Sequence, residues 1–255
     1  MDIDTDEMLL VIDCDIILYS VGWGAEDLED EYLVWKRVDN FFARLFFTLG
    51  TYKYKGYLTG KGNFREQVAV SHKYKGNRKK EKPKWYAAIK DYLVHEWDAE
   101  EVQGMEADDM LAMQLTENKN AVCCTIDKDL LQVEGWHYSW KTHNREETPL
   151  RYIEAFGKLE MQGKKLYGEG LMFLYAQAIM GDSTDNIVGV PRYGPKKAYQ
   201  TLIDKKTEVE LYAEVLQLYA LHFEKPEERL EENMHLLYMV RGYNEDGTLQ
   251  HWRKP

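Results

Sequence analysis

Four acidic clusters recur along the chain: Asp13 with Asp15, Glu106-Ala107-Asp108-Asp109, Asp127-Lys128-Asp129, and Gly181-Asp182-Ser183-Thr184-Asp185-Asn186. Carboxylates this dense repel one another unless a positive charge sits among them. Oxygen-only donors in such number suit magnesium or manganese, and no His or Cys cluster points to zinc. The chemistry this composition could support is therefore that of a pair of divalent ions. The bland reading of any one cluster is a solvated helix cap, because Asp and Glu favour helix N-termini.

The elements that must position these acids separate the two readings. Asp13 ends Met8-Leu9-Leu10-Val11-Ile12, an apolar run of strand length. A buried strand that ends in an acid aims it at a ligand crevice. Asp127 repeats the arrangement after Ala121 to Ile126, while Glu106, Asp108 and Asp109 crowd the first turn of a helix expected to Leu115. Leu33, Val34, Val38, Phe41, Phe42, Leu45, Phe46 and Leu49 recur at helical spacing and stop at Gly50, and Tyr54 to Thr59 reads as the next strand. Strand, helix, strand is a crossover unit of a parallel sheet. A helix opens at Pro83 and runs to about Trp97, Trp136 to Trp140 is a further strand, and Gly170 to Met180 is a nearly continuous apolar helix.

The 255 residues, 44% of them hydrophobic, suffice for one large domain or a medium one with an appendage. Every long apolar stretch is broken by charge, so no transmembrane span is expected. The acidic N-terminus is the opposite of a secretory signal's basic start, which implies an intracellular protein. Cys14, Cys123 and Cys124 form no zinc or disulfide spacing and read as small core residues.

A net charge of −11 argues against a nucleic-acid partner until its distribution is considered. Between Ser71 and Lys90 stand eight Lys or Arg residues against the single acid Glu81, with Tyr74 and Trp85 interleaved. Cations with aromatics suit a single strand, although a solvated face would carry the same charges. The stretch from Gly60 to Lys82 has little apolar periodicity and is expected to be a mobile arm or lid. Further on, Gly189-Val190-Pro191-Arg192-Tyr193-Gly194-Pro195 opens a helix with Lys196 and Lys197. Such a hairpin presents backbone N–H groups beside a positive helix end and grips a phosphate backbone without reading sequence.

In this order, Tyr74-Lys75-Gly76-Asn77-Arg78, Gly104 to Asp109, Thr125 to Asp129 and Gly181 to Ile187 resemble the motifs of the 5′-nucleases of the flap endonuclease superfamily, within it the bacteriophage 5′ to 3′ exonucleases. The resemblance covers about residues 8 to 203. It implies an α/β fold: a three-layer α/β/α PIN-like nuclease domain with a parallel-rich central sheet over residues 1 to 180, carrying a basic arch at about 60 to 90. A helix-three-turn-helix DNA-binding region and C-terminal helices would follow over 181 to 255.

The resemblance implies roles as well. Asp13, Glu106 and Asp108 match a first metal site, with Asp109 as a ligand or behind one. Asp127, Asp129 and Asp182 match a second, and Asp185 matches a further acid of the cluster. Lys75 and Arg78 match arch residues that act on the scissile phosphate, Tyr74 would stack on the terminal nucleotide, and Arg65 and Lys79 would add contacts to the nucleic acid. Gly189, Arg192, Gly194, Lys196 and Lys197 would hold the duplex, with a potassium ion at the hairpin. Two Mg2+ ions roughly 4 Å apart, replaceable by Mn2+, would activate water and stabilise the leaving oxygen. The implied substrate is DNA with 5′ ends, flaps or nicks, or an RNA/DNA hybrid. The implied setting is phage replication or recombination in a bacterial cytoplasm, as a monomer beside replication proteins and without a membrane.

Two positions depart from the family pattern. Gly60 stands where a metal-site Asp usually follows the second strand, and Asp15 replaces it only if the chain turns after Asp13. Arg192 stands where the hairpin usually has a Gly. A non-catalytic DNA-end-binding protein, a PIN-type ribonuclease and a structural protein whose acids are caps remain open alternatives.

Overall fold

The computed structural model describes residues 3–78 and 81–255. In chain order the elements are β1 (Leu9–Asp13), α1 (Cys14–Gly24), α2 (Glu31–Leu49), β2 (Tyr54–Thr59), α3 (Arg65–Val68), α4 (Tyr86–Glu96), β3 (Glu100–Val102), α5 (Ala107–Glu117), β4 (Ala121–Cys124), a 3-10 turn (Lys128–Gln132) and β5 (Gly135–Ser139). They continue with β6 (Thr148–Ile153), β7 (Leu159–Gln162), β8 (Lys165–Gly168), α6 (Gly170–Met180), β9 (Gly181–Asp182), β10 (Ile187–Val188), α7 (Pro195–Leu202), α8 (Glu208–His222) and α9 (Pro226–Leu237). Two units divide them. The first comprises residues 1–62, 80–126 and 135–152, the second residues 63–79, 127–134 and 153–255. The boundary expected at 180 falls inside the second unit.

In the first unit the sheet order is β3-β2-β1-β4-β5-β6, and β1 pairs in parallel with β2 on one side and β4 on the other. Strand order reverses at β1, which is where open α/β sheets form their ligand crevice beyond the C-terminal strand ends. Leu10 and Ile12 of β1, Leu58 of β2 and Val122 and Cys124 of β4 share a core with α1, α2 and α4. They alternate along their strands, as a period of two requires. The intervening residues Val11, Tyr57 and Cys123 are buried on the opposite face, and α5 packs against β1, β2 and β4.

Helix α1 was not legible as a helix, because Cys14-Asp15-Ile16-Ile17-Leu18 continues the apolar run of β1. The strand ends because the Asp13 side chain caps the helix, accepting from the Ile16 N–H at 3.2 Å. Helix α2 behaves as its pattern predicts: Val34, Val38, Phe42, Leu45 and Phe46 are buried, and Gly50 ends it at φ +72°.

The second unit is built around α6, of whose eleven residues nine are buried. A helix apolar on all sides must be covered on all sides, and α7, α8 and α9 pack against it. Helices α8 and α9 are the C-terminal helices that the resemblance implies, whereas the hairpin of β7 and β8 is not anticipated from the sequence. The segment expected to be a mobile arm is largely tied down within this unit. Ser71 donates its N–H to Glu232 of α9 at 2.7 Å, and α3 packs on α9. Among the described residues no helix is long and apolar enough to cross a membrane.

Candidate active site

In the first unit the acids are held by helix and strand ends. Asp13 is 2% exposed, and its second oxygen accepts from the Thr125 hydroxyl at 2.7 Å. Because the chain turns into α1 immediately after Asp13, Asp15 lies in the first helical turn. From there its carboxylate reaches the Thr59 N–H at the end of β2, at 3.1 Å. The Thr59 hydroxyl in turn accepts from the Ala107 N–H at 3.0 Å, joining β2 to the start of α5. There Glu106 is the N-cap, and its N–H donates to the fully buried Asp109 at 3.1 Å. Asp109 thus sits behind Glu106, while Asp108 is half-buried on the first turn.

Gly60, the position without its expected acid, has no room for a side chain. A Cβ there would lie 2.5 Å from the Val102 carbonyl oxygen and 2.3 Å from the Gln103 amide nitrogen. The Gly60 N–H bonds that same carbonyl at 2.8 Å, so the crowding is backbone against backbone. Asp15 is the acid that reaches the end of β2 instead.

In the second unit the acids are held by side-chain donors and tight turns. Asp127 caps the 3-10 turn by accepting from the Asp129 N–H at 2.8 Å. Lys128 projects its ammonium between Asp129 and Asp182, at 3.0 and 2.9 Å. Asp182, at the β9–β10 hairpin, also accepts from the Thr184 N–H at 2.7 Å. Gln177 of α6 donates its amide to Asp129 at 2.7 Å, and its own buried oxygen has no hydrogen-bond partner among the described residues.

These surroundings push the two carboxylates apart. Burial and the neighbouring Asp127 raise Asp129 to about 6 against the pull of Lys128. Burial also works on Asp182, but the Lys128 hydrogen bond and charge and the N–H groups of Thr184 and Asp185 outweigh it and hold that acid below its ordinary range. Lys128 moves upward, since its two carboxylates overcome the desolvation that opposes its charge.

Asp185 is engaged by three of the residues assigned to nucleic acid. The Tyr74 hydroxyl donates to it at 2.8 Å, the Lys75 ammonium lies 3.9 Å away, and Arg78 forms an ion pair with it. Lys79 lies outside the described residues. Two expectations are corrected. Tyr74 was expected to stack on a nucleotide, but it is 6% exposed and its ring belongs to the apolar core of this unit. Arg65 was expected to contact nucleic acid. It is 1% exposed and donates to the carbonyls of Leu236 and Tyr238 at 3.0 and 2.9 Å, where a cation suits the C-terminal end of α9.

In the hairpin, Gly189 is a steric requirement: a Cβ would lie 2.3 Å from the Gly181 nitrogen. Arg192 adopts φ +66°, the left-handed conformation a Gly would take, and its side chain is exposed. Gly194 caps α7, whose Lys196 and Lys197 are exposed.

Among the described residues no three His, Cys, Asp or Glu side chains are grouped to hold one metal ion. The donor chemistry nevertheless fits a divalent ion. In the second unit an ammonium stands between two carboxylates, in the place of a cation, and a buried amide oxygen beside them lacks a donor. The sequence reading missed Lys128, Gln177, Thr59 and Thr125. Gln177 carried the clearest signal, as the one amide in the apolar run of α6.

A parallel sheet with an acid capping its central strand, a second acidic turn, a glycine hairpin and C-terminal helices defines a PIN-like α/β nuclease fold. No family model matches the chain. Among curated proteins it is similar to flap endonuclease Xni of Shewanella woodyi, 32% identical over 149 residues. Xni of Shewanella piezotolerans is 27% identical over 152 residues. These matches cover 55% and 58% of this chain and 54% and 55% of the relatives, so the chain spans about half the length of the curated relatives it matches.

Two solved structures share the fold over 91% of this chain. One is a T5 protein co-crystallised with metal ions, with TM-score 0.61, 18% identity and 89% of that chain covered. The other is the T5 5′-exonuclease with divalent zinc ions, with TM-score 0.56, 16% identity and 100% of that chain covered. In sequence the chain resembles flap endonuclease Xni, and in fold it resembles the T5 5′-exonuclease.

Proposed function

We propose that the chain is a divalent-metal-dependent 5′-nuclease that hydrolyses DNA phosphodiester bonds at 5′ ends, flaps or nicks, as a 5′ to 3′ exonuclease and flap endonuclease. The observation that carries this reading is Lys128: the second unit brings Asp129 and Asp182 to one point and has to neutralise them with its own ammonium. Asp13, Glu106 and Asp108 would hold one magnesium ion, with Asp15 supplying at the end of β2 the charge that Gly60 cannot. Asp127, Asp129 and Asp182 would hold another, and manganese would substitute. Ions so bound would supply water activation and polarisation of the phosphodiester.

The chain's own residues would do the rest. Asp109 fixes Glu106, Gln177 fixes Asp129, and Asp185 holds Lys75 and Arg78, whose charges would meet the substrate phosphate. Gly189 to Lys197 would hold the duplex backbone through N–H groups, Arg192, Lys196 and Lys197, with potassium at the hairpin. A role in phage replication or recombination, RNA/DNA hybrid substrates, a monomeric state, replication partners and a cytoplasmic location belong to the same proposal. A second reading, a DNA-end-binding relative without catalysis, is favoured by the closed position at Gly60.

The test is hydrolysis of duplex and 5′-flap DNA, each labelled at 5′ or 3′, in magnesium, manganese or EDTA, beside Asp127→Asn. Metal-dependent release from 5′ ends, lost in the variant, is expected. A fully active Asp127→Asn enzyme would sink the two-metal assignment, and binding without cleavage in either metal would favour the second reading.

A further inference from the structure

The first unit contains a pocket of about 310 Å³ whose lining includes no residue of the four acidic clusters. That volume lies in the range of ligand-sized cavities. One wall is α2, where Arg37, Phe41 and Arg44 recur at four- and three-residue spacing and so share a stripe. The opposite wall is formed by the end of β5 and the turn after it, with Trp140, Lys141 and Glu147. Phe41 and Trp140 meet edge to face at 4.9 Å, and both are only half-buried, which leaves ring surface on the cavity.

Three cations face one carboxylate in this lining, on a protein whose net charge is −11. Arg37 donates to the Gly24 carbonyl, and Lys141 pairs with Glu146 at 2.9 Å. Among the described residues no hydrogen bond or ion pair engages the Arg44 guanidinium. An unengaged guanidinium beside an aromatic floor, in an otherwise acidic molecule, selects an anion that carries a flat ring. Guanidinium groups bind phosphate through paired hydrogen bonds, and aromatic side chains stack on any base.

We propose that this pocket binds a nucleotide, with its base on the Phe41–Trp140 pair and its phosphate at Arg44 and Arg37. The site needs no metal and shares no residue with the acid sets, so it stands apart from the nuclease reading.

The test is calorimetric titration of the full chain in EDTA with dAMP, with inorganic phosphate and with a short oligo(dT), for wild type and Arg44→Gln. Arg44 is exposed, and circular dichroism verifies that the variant keeps its fold. Saturable binding of dAMP or of oligo(dT), weakened about tenfold or more in Arg44→Gln, is expected. Binding of dAMP identifies a free mononucleotide as the ligand, and Arg44-dependent binding of oligo(dT) alone identifies a nucleotide within a single strand. Three results overturn the proposal: neither ligand binds, both bind the variant as tightly as wild type, or phosphate binds as tightly as dAMP. Because EDTA removes divalent ions, loss of nuclease activity leaves this measurement unchanged.

Discussion

The two acid sets are held in place by different means. In the first unit Asp13, Asp15 and Asp109 accept from the backbone N–H groups of Ile16, Thr59 and Glu106, so the secondary structure itself fixes their positions. In the second unit Asp127 and Asp182 also accept from backbone N–H groups, but Asp129, Asp182 and Asp185 in addition face the side-chain cations Lys128, Lys75 and Arg78. Backbone donors stay where the fold puts them, whereas side-chain cations swing away at modest cost. The first set is therefore a rigid frame. The second is a charge cluster compensated by its own cations, in which, on the proposed function, an arriving divalent ion would take over the work of an ammonium.

The strongest way to break this comparison is to remove one charge from each set without removing its hydrogen bonds. If the proposed function holds, Asp13→Asn and Asp127→Asn are both expected to lower DNA hydrolysis on the order of 10³-fold, since each would delete a charge that organises the reacting phosphate. Asn caps a helix about as well as Asp. Asp13→Asn should therefore hold its urea midpoint, and a variant that unfolds would show that the frame depends on charge rather than on geometry.

Gly60→Asp asks whether the frame can accept the acid it lacks. Its Cβ would meet the Val102 carbonyl at 2.5 Å, a contact that only the backbone can relieve. We expect a loss of about 2–3 kcal/mol in urea denaturation and no gain in Mn2+ binding by electron paramagnetic resonance. Asp15→Asn, which keeps an acceptor for Thr59, should weaken Mn2+ binding at the same frame. Tighter Mn2+ binding by Gly60→Asp would mean that Asp15 does not occupy the missing acid's place.

Lys128→Met addresses the compensated set. In EDTA the variant leaves Asp129 and Asp182 facing each other and should lose about 1–2 kcal/mol, discounted because Lys128 is half-exposed. In saturating magnesium the loss should shrink if, as proposed, the ion would replace the ammonium. An equal loss with and without magnesium would show that Lys128 does not stand in for a metal.

Strands β1, β2, β4 and β5 were legible, though the short β3 and the edge strand β6 were not, because buried strands and an amphipathic helix leave periodic patterns. Tyr54 to Thr59, the α2 stripe and the all-apolar α6 are examples. What failed to show were features set by tertiary packing. Arg65 looks like any arm cation in the sequence, and only the carbonyls of Leu236 and Tyr238 reveal why it is buried. Tyr74 lies in a basic stretch, yet Asp185, more than a hundred residues later, supplies the partner for its hydroxyl. Helix α1 was hidden because one residue, Asp13, both ends a strand and caps the helix after it.

Glu232 sharpens the comparison most finely, because it is an acid held by a cation and assigned to no metal. It accepts from the Ser71 N–H at 2.7 Å and pairs with Arg229 at 2.9 Å, pinning the arm segment to α9. Burial alone would raise its pKa, but the Ser71 hydrogen bonds and Arg229 outweigh it, so the folded value lies below the ordinary 4.5. A depressed folded pKa means that the charged form is favoured in the native state. The stabilisation is therefore complete above the unfolded value and is lost as pH falls through the folded one. Glu232→Gln should cost about 1–2 kcal/mol at neutral pH, the worth of hydrogen bonds to a charged group. The gap from wild type should close only as pH falls below the ordinary carboxylate range, when wild type also carries a neutral side chain. Urea midpoints across the acid range measure it, and a gap that does not narrow with falling pH would assign the cost to packing rather than to charge. Magnesium should leave this gap unchanged while narrowing that of Lys128→Met. A cation that only ties down an arm is thereby distinguished from one that keeps the place of a metal.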